Sequence, residues 1–254
     1  MAEAEFINFA ARDPKNNFLG KRLGYCANCN LLDGVPKVDG FFSLTPREND
    51  DLLSLFYSTT NADFPRLEDF LGVSQITAPD EVFHWQSRPA FLPLVTAGQQ
   101  PVFLEDTEAL RAMTHPDFDG RKVVFLPPSA KPLVTATGQP DARVLASKFD
   151  TQSVQIEVET TGPALVVIAQ TYYHSWRAYL DGLPTPLLRA NHAFQAVQIP
   201  AGKHQIRLAY EDRAFKAGAI ISIGLWVGCL ICLPLIRRRP VPSAPATRGA
   251  DLIR

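Results

Sequence analysis

Residues 171–182, TYYHSWRAYLDG, concentrate four aromatic side chains, a histidine, an arginine and an aspartate within twelve positions. Two kinds of chemistry suit such a strip. In one, Tyr173, His174 and Trp176 join Arg189, Asn191 and His192 in a rim that faces a saccharide or a lipid. Aromatic faces stack on sugar rings, and an Arg or Asn fixes hydroxyls or a phosphate. In the other, Trp176 and one of Tyr172 and Tyr173 fill a core, and Asp181-Gly182 only makes a turn. A buried Arg189 needs a carboxylate, and Asp181 in the preceding turn is the expected partner. His174 and His192 are then expected to stay solvent-accessible beside it.

The cysteines offer a second chemistry. They form two C-x-x-C pairs, Cys26/Cys29 and Cys229/Cys232, which as text suggest a four-cysteine zinc site. Cys229 and Cys232 lie inside a long apolar run, where they act as small hydrophobes, so that set is rejected. Cys26 and Cys29 can pair as a disulfide if their segment lies outside the cytoplasm. Other catalytic patterns are missing: no G-x-S-x-G, H-E-x-x-H, Walker loop or G-x-G-x-x-G occurs. The histidines at 84, 115, 174, 192 and 204 have no ligand spacing, and no carboxylate pair stands out for acid/base work. The sequence therefore nominates no catalytic residue, no metal and no cofactor.

The elements that must position the strip fall into segments. A formal charge of −1 over 254 residues argues against a nucleic-acid partner. Residues 1–126 read as mixed α/β. There, T-P-R-E at 45–48 is a capping box in which Glu48 reaches back to Thr45, opening a helix that turns Leu52, Leu53 and Phe56 inward. Further helices are expected at 65–71, ending at Gly72, and from Asp106 through Met113. Strands are expected at VSQIT and RKVVFL. Residues 127–140, PPSAKPLVTATGQP, read as a linker. Beyond it the period changes to two: Val154, Ile156 and Val158 alternate with polar residues, ALVVIAQTYY is apolar on both faces, and Asp181-Gly182 signals a tight turn. Short, evenly spaced strands over 141–212 predict an antiparallel β-sandwich of six or more strands. The fold class is thus α+β with one terminal helix.

That helix is residues 217–236, AGAIISIGLWVGCLICLPLI, twenty positions without a charge. At about 1.5 Å per residue it spans ~30 Å, the thickness of a bilayer's hydrocarbon core. It is uniformly apolar, unlike a core helix with one polar face. Gly224 and Gly228 form a G-x-x-x-G pair suited to close packing by a neighbouring membrane helix. Lys203, Arg207, Arg213 and Lys216 before the span balance Arg237, Arg238, Arg239 and Arg248 after it. The triplet abutting the span favours a cytoplasmic C-terminus, with 237–254 a disordered tail. The first eighteen residues lack the basic and apolar regions of a signal peptide.

Residues 170–222 resemble the C-terminal signature of YfhO-like bacterial membrane proteins. The matching positions are Tyr172, Tyr173, Trp176, Ala178, Tyr179, Asp181, Gly182, Arg189, Ala190, Asn191, Phe194, Pro200, Ala201, Gly202 and His204. The usual Pro-Gly before the tryptophan is His174-Ser175 here. The family is similar to polytopic GT-C-type glycosyltransferases that use lipid-linked sugars, some implicated in glycosylating cell-envelope polymers. The resemblance implies that catalysis belongs to an early extracytoplasmic loop between membrane helices that this chain lacks. It implies an extracytoplasmic C-terminal domain with the last span, located in a bacterial cell membrane. Upstream membrane helices, and a glycan or lipid-linked sugar, are the implied partners. A non-catalytic, membrane-anchored binding or structural module is the alternative.

Overall fold

The computed structural model describes residues 14–26, 28–38, 40, 44–58, 64–78 and 81–237. The chain to Tyr210 forms one compact unit, and the remainder forms a second.

In the first unit the helices are α1 (Pro14–Leu23), α2 (Arg47–Ser58), α3 (Pro65–Phe70) and α4 (Asp106–Thr114). The strands are β1 (Gln75–Ala78), β2 (Glu81–Ser87), β3 (Val95–Ala97), β4 (Gln100–Phe103), β5 (Val123–Leu126), β6 (Ala142–Asp150), β7 (Ser153–Thr160), β8 (Ala164–Ile168), β9 (Trp176–Leu180), β10 (Leu183–Thr185), β11 (Leu188–Ala190), β12 (Phe194–Ile199) and β13 (Gly202–Tyr210). A five-stranded sheet runs β10-β9-β13-β7-β6 and a four-stranded sheet runs β11-β12-β8-β3. Pairing in both is antiparallel. Parallel β4 and β5 make a separate pair, with α4 between them in sequence, and β1 and β2 form a hairpin.

The two larger sheets pack face to face. Val154, Ile156 and Val158 of β7, Ile206 and Leu208 of β13 and Trp176 and Ala178 of β9 meet Val166 and Ile168 of β8 and Val197 and Ile199 of β12. The period-two alternation read from 153–160 thus fills a sandwich core. The four-stranded sheet buries its second face as well. Leu165 and Val167 of β8, with Phe194 and Ala196 of β12, pack with Leu52 of α2, Leu67 and Phe70 of α3 and Met113 of α4. This explains why β8 is buried at every position and reads as a continuous apolar run. Each fully buried Val or Leu here contributes about 1.5–3 kcal/mol of transfer free energy.

Leu52 is buried on α2, with Leu53 and Phe56 packed beside it, as the helical period predicts. Gly72 takes φ +71 just past α3, the left-handed stop expected of it. Residues 127–140 carry a 3-10 helix, Pro128–Leu133, and bury Ala130 and Ala136 against the helical side of the four-stranded sheet. Gln198 of β12 accepts from the amides of Thr135 and Ala136 there. β3, which the sequence did not reveal, joins β8 from the N-terminal half.

The second unit is helix α5, Arg213–Arg237. Asp212 caps it, its Oδ1 accepting from the Phe215 amide at 2.9 Å. Its segment Arg213–Ile231 is long and apolar enough to cross a membrane and is unburied in the structure. Among the described residues, an added Cβ at Gly224 or Gly228 would meet nothing within 4 Å. The expected tail beyond Arg237 lies outside the described residues.

Candidate functional site

The strip begins by tying itself to neighbours on two elements. Thr171 Oγ1 donates to Asn49 Oδ1 of α2 at 3.1 Å, and its carbonyl accepts from Gln195 Nε2 at 2.9 Å. The Tyr172 amide donates to Ala193 O at 2.7 Å. These bonds bring the loop before β9 against α2 and against the β11–β12 connection, residues 191–193.

Past Tyr172 the strip divides. Tyr173 is 39% exposed and His174 is exposed, with ring centroids 4.1 Å apart. Trp176 is buried in the sandwich core and meets Tyr210 edge-on at 5.6 Å. Of the two expectations for this residue, the structure places it in the core and not on a surface rim. At the other end of β9, Asp181 (φ +49) and Gly182 (φ +83) form the two-residue turn that joins Leu180 to its partner Leu183. Both positive φ angles fit a type I′ hairpin turn, which favours Asp-Gly.

Arg189 does not pair with Asp181. Its Nη1 lies 2.9 Å from Glu48 Oε1, and its Nη2 lies 2.8 and 2.6 Å from the two oxygens of Asp106. Glu48 sits in the first turn of α2 and Asp106 opens α4, where carboxylates are favoured by the helix dipole. Arg189 therefore joins two helix starts to β11. Glu48, expected to reach back to Thr45, turns to this guanidinium instead. Asp181 is engaged elsewhere: Oδ1 accepts from the Gln205 amide at 2.8 Å, and Oδ2 lies 2.7 Å from His204 Nδ1. The Gln205 amide first, and His204 second, hold the Asp181 carboxyl below the usual carboxylate range.

Asn191 and His192 take φ +46 and +66 in the β11–β12 connection. Asn191 is buried and behaves as an added strand residue. Its Oδ1 accepts from the Phe125 amide at 2.8 Å, and its own amide donates to Phe125 O at 2.7 Å. This links β5 to the end of β11. His192, expected to be accessible, is 6% exposed. Its Nε2 lies 3.7 Å from Asp51 Oδ2, and among the described residues neither ring nitrogen has a hydrogen-bond partner. The cause is topological: α2 lies over the connection that carries it.

Sequence reasoning missed Glu48, Asn49, Asp51, Asp106 and Tyr210. Local signals for Glu48 and Asp106 exist, but they mark helix starts. Their partner lies 141 and 83 residues away, a separation that carries no periodic signal.

Residues 136–222 match the model of a family described as bacterial membrane protein YfhO. The match spans β6 through β13 and the opening turns of α5. No curated protein matches the chain. Residues 136–222 are thus similar to the family that the aromatic strip resembles. Together with the apolar α5, the match supports a membrane location for the chain.

Proposed function

We propose that the chain is the C-terminal extracytoplasmic part of a YfhO-like polytopic membrane protein that assists glycosyl transfer from a lipid-linked sugar to a cell-envelope glycan. The observation that carries this reading is the family match running without a break from the sandwich into α5. A domain joined so directly to a span works at the membrane surface, where a lipid-linked donor resides. Upstream membrane helices are the proposed partners, and the reacting groups are assigned to them.

Within this role the six candidate residues divide by task. Tyr173 and His174 are exposed and meet the saccharide- or lipid-bearing partner. Trp176 anchors the loop in the sandwich core, Asn191 ties β11 to Phe125, and His192 lies beside Asp51 of α2. Arg189 holds α2 and α4 in place through Glu48 and Asp106. A second reading, a membrane-anchored binding or structural module without catalysis, is favoured by how much of the strip is spent on the fold. Trp176 is core, and the Arg189 guanidinium is already occupied by two carboxylates.

Deleting the gene segment for residues 136–222 in the source bacterium tests the first reading. Glycosyl analysis of purified envelope polymers should show loss of one sugar substituent, with its polyprenyl-phosphate donor accumulating. Unaltered polymers with no accumulated donor would leave only the second reading.

A further inference from the structure

One end of the sandwich gathers the β6–β7 turn, the 171–175 loop and the end of β13. Tyr210 pairs with Trp176, Ala209 pairs with Ser153, and the Tyr210 amide donates to Gln152 O at 2.9 Å. Aromatic rings cluster there. Tyr173 stacks near-parallel on Tyr210, with centroids 6.4 Å apart and planes 13° apart. His174 lies against Tyr173, and Trp176 meets Tyr210 edge-on from the core side. Tyr173, His174 and Arg177 are exposed. An exposed tyrosine stacked on a second tyrosine leaves an apolar face open to solvent, which the fold alone does not require.

The chain itself fixes what lies nearby. Tyr210 precedes Arg213, the first residue of α5, by three positions, so the two are at most about 11 Å apart. Ala217, where the uncharged run starts, is four helical residues further, about 6 Å. Tyr210 is thus tethered within roughly 17 Å of hydrocarbon, and the headgroup layer occupies about 5–8 Å of that distance. Tyrosine suits this layer because it pairs an apolar ring with a polar tip.

We infer that Tyr173, His174 and Tyr210 form a patch that rests in the phospholipid headgroup layer. Charges adjoining its residues in sequence are mixed: Arg177 follows the loop, and Glu211, Asp212, Arg213 and Lys216 follow Tyr210. Contact therefore rests on the rings and survives high salt and zwitterionic lipid. The inference needs α5 to span a membrane and is independent of glycosyl transfer.

The test uses the full chain in phosphatidylcholine–phosphatidylglycerol nanodiscs containing a nickel-chelating headgroup lipid. The four native cysteines are changed to Ser, and a nitroxide is attached through His174→Cys or Lys203→Cys. Lys203 lies seven residues from Tyr210 along β13, about 23 Å. Power saturation should show strong nickel relaxation at 174 and little at 203, unchanged without phosphatidylglycerol. Adding Tyr173→Ala should reduce the signal at 174, while Tyr173→Phe should keep it. Equal relaxation at both positions overturns the inference, as does a signal that vanishes without anionic lipid. Immobilisation of the 174 label by soluble envelope glycan in place of lipid also overturns it. Alkaline carbonate washing of equivalent proteoliposomes separates the causes. If the chain is extracted, the span and the patch fall together; if it stays and position 174 is silent, the patch alone falls.

Discussion

Arg189 Nη2 is held between both carboxylate oxygens of Asp106, at 2.6 and 2.8 Å, across 83 residues of sequence. With Glu48 on Nη1, the guanidinium joins the helical layer to the sheet that also backs the sandwich. Asp106 is 44% exposed and Arg189 23% exposed at their side chains, so water screens the pair without removing its geometric specificity.

Arg189→Ala should destabilise the full chain in detergent by about 1–3 kcal/mol, the range for charge-assisted hydrogen bonds. Asp106→Ala introduced on top should add little, since the shared interaction is already lost. Asp181→Ala should add its full cost to Arg189→Ala, because the two residues have separate partners. Urea unfolding of the singles and doubles measures both couplings. A large Arg189–Asp181 coupling with none to Asp106 would contradict the arrangement.

Trp176→Ala should cost about 3–5 kcal/mol, the usual loss for a large buried aromatic. For a unit of this size that is a fall in Tm on the order of 10 °C. His174→Ala, at an exposed position, should stay within about 0.5 kcal/mol. Thermal melts that rank these two in the opposite order would move Trp176 out of the core.

What the sequence made legible was whatever repeats locally. The alternation at 153–160 and the Asp181-Gly182 turn appear in the structure as read. Leu52 and Met113 face the core for the same reason. β3 was missed because three residues, VTA, give no period to detect. Proximity in sequence points Arg189 to Asp181, whereas the fold brings it two carboxylates from helix starts. His192 was read as a surface residue because nothing local shows that α2 covers the turn carrying it.

The Asp181 turn carries a pH dependence. Its carboxyl is held below the ordinary value by the Gln205 amide and by His204. A depressed folded-state pKa gives stability that is fully present above the unfolded value, about pH 3.9. That stability is lost as the pH falls through the lower folded value. Asp181→Asn keeps an acceptor for Gln205 and tolerates positive φ, but it cannot titrate. Its stability should be lower than wild type at pH 6, and the gap should narrow as pH drops below about 4. A gap constant from pH 6 to pH 2.5 would show that the carboxylate contributes no charge-dependent stability.

The orientation of the domain is the remaining prediction. The arginine triplet at 237–239 abuts the end of α5, and positive residues beside a span favour the cytoplasmic side. Lys203, Arg207, Arg213 and Lys216 on the other side equal the triplet and Arg248 in number, so charge alone leaves no margin. The proposed role at a lipid-linked sugar requires the sandwich outside. Lys203 is exposed near the start of β13, so a cysteine there is reachable without disturbing the core. In a background with Cys26→Ser and Cys29→Ser, Lys203→Cys should react with a membrane-impermeant maleimide in intact cells. Spheroplasts remove the outer-membrane barrier where the host has one. Labelling that needs permeabilised inner membranes would put the sandwich in the cytoplasm and end the extracytoplasmic assignment.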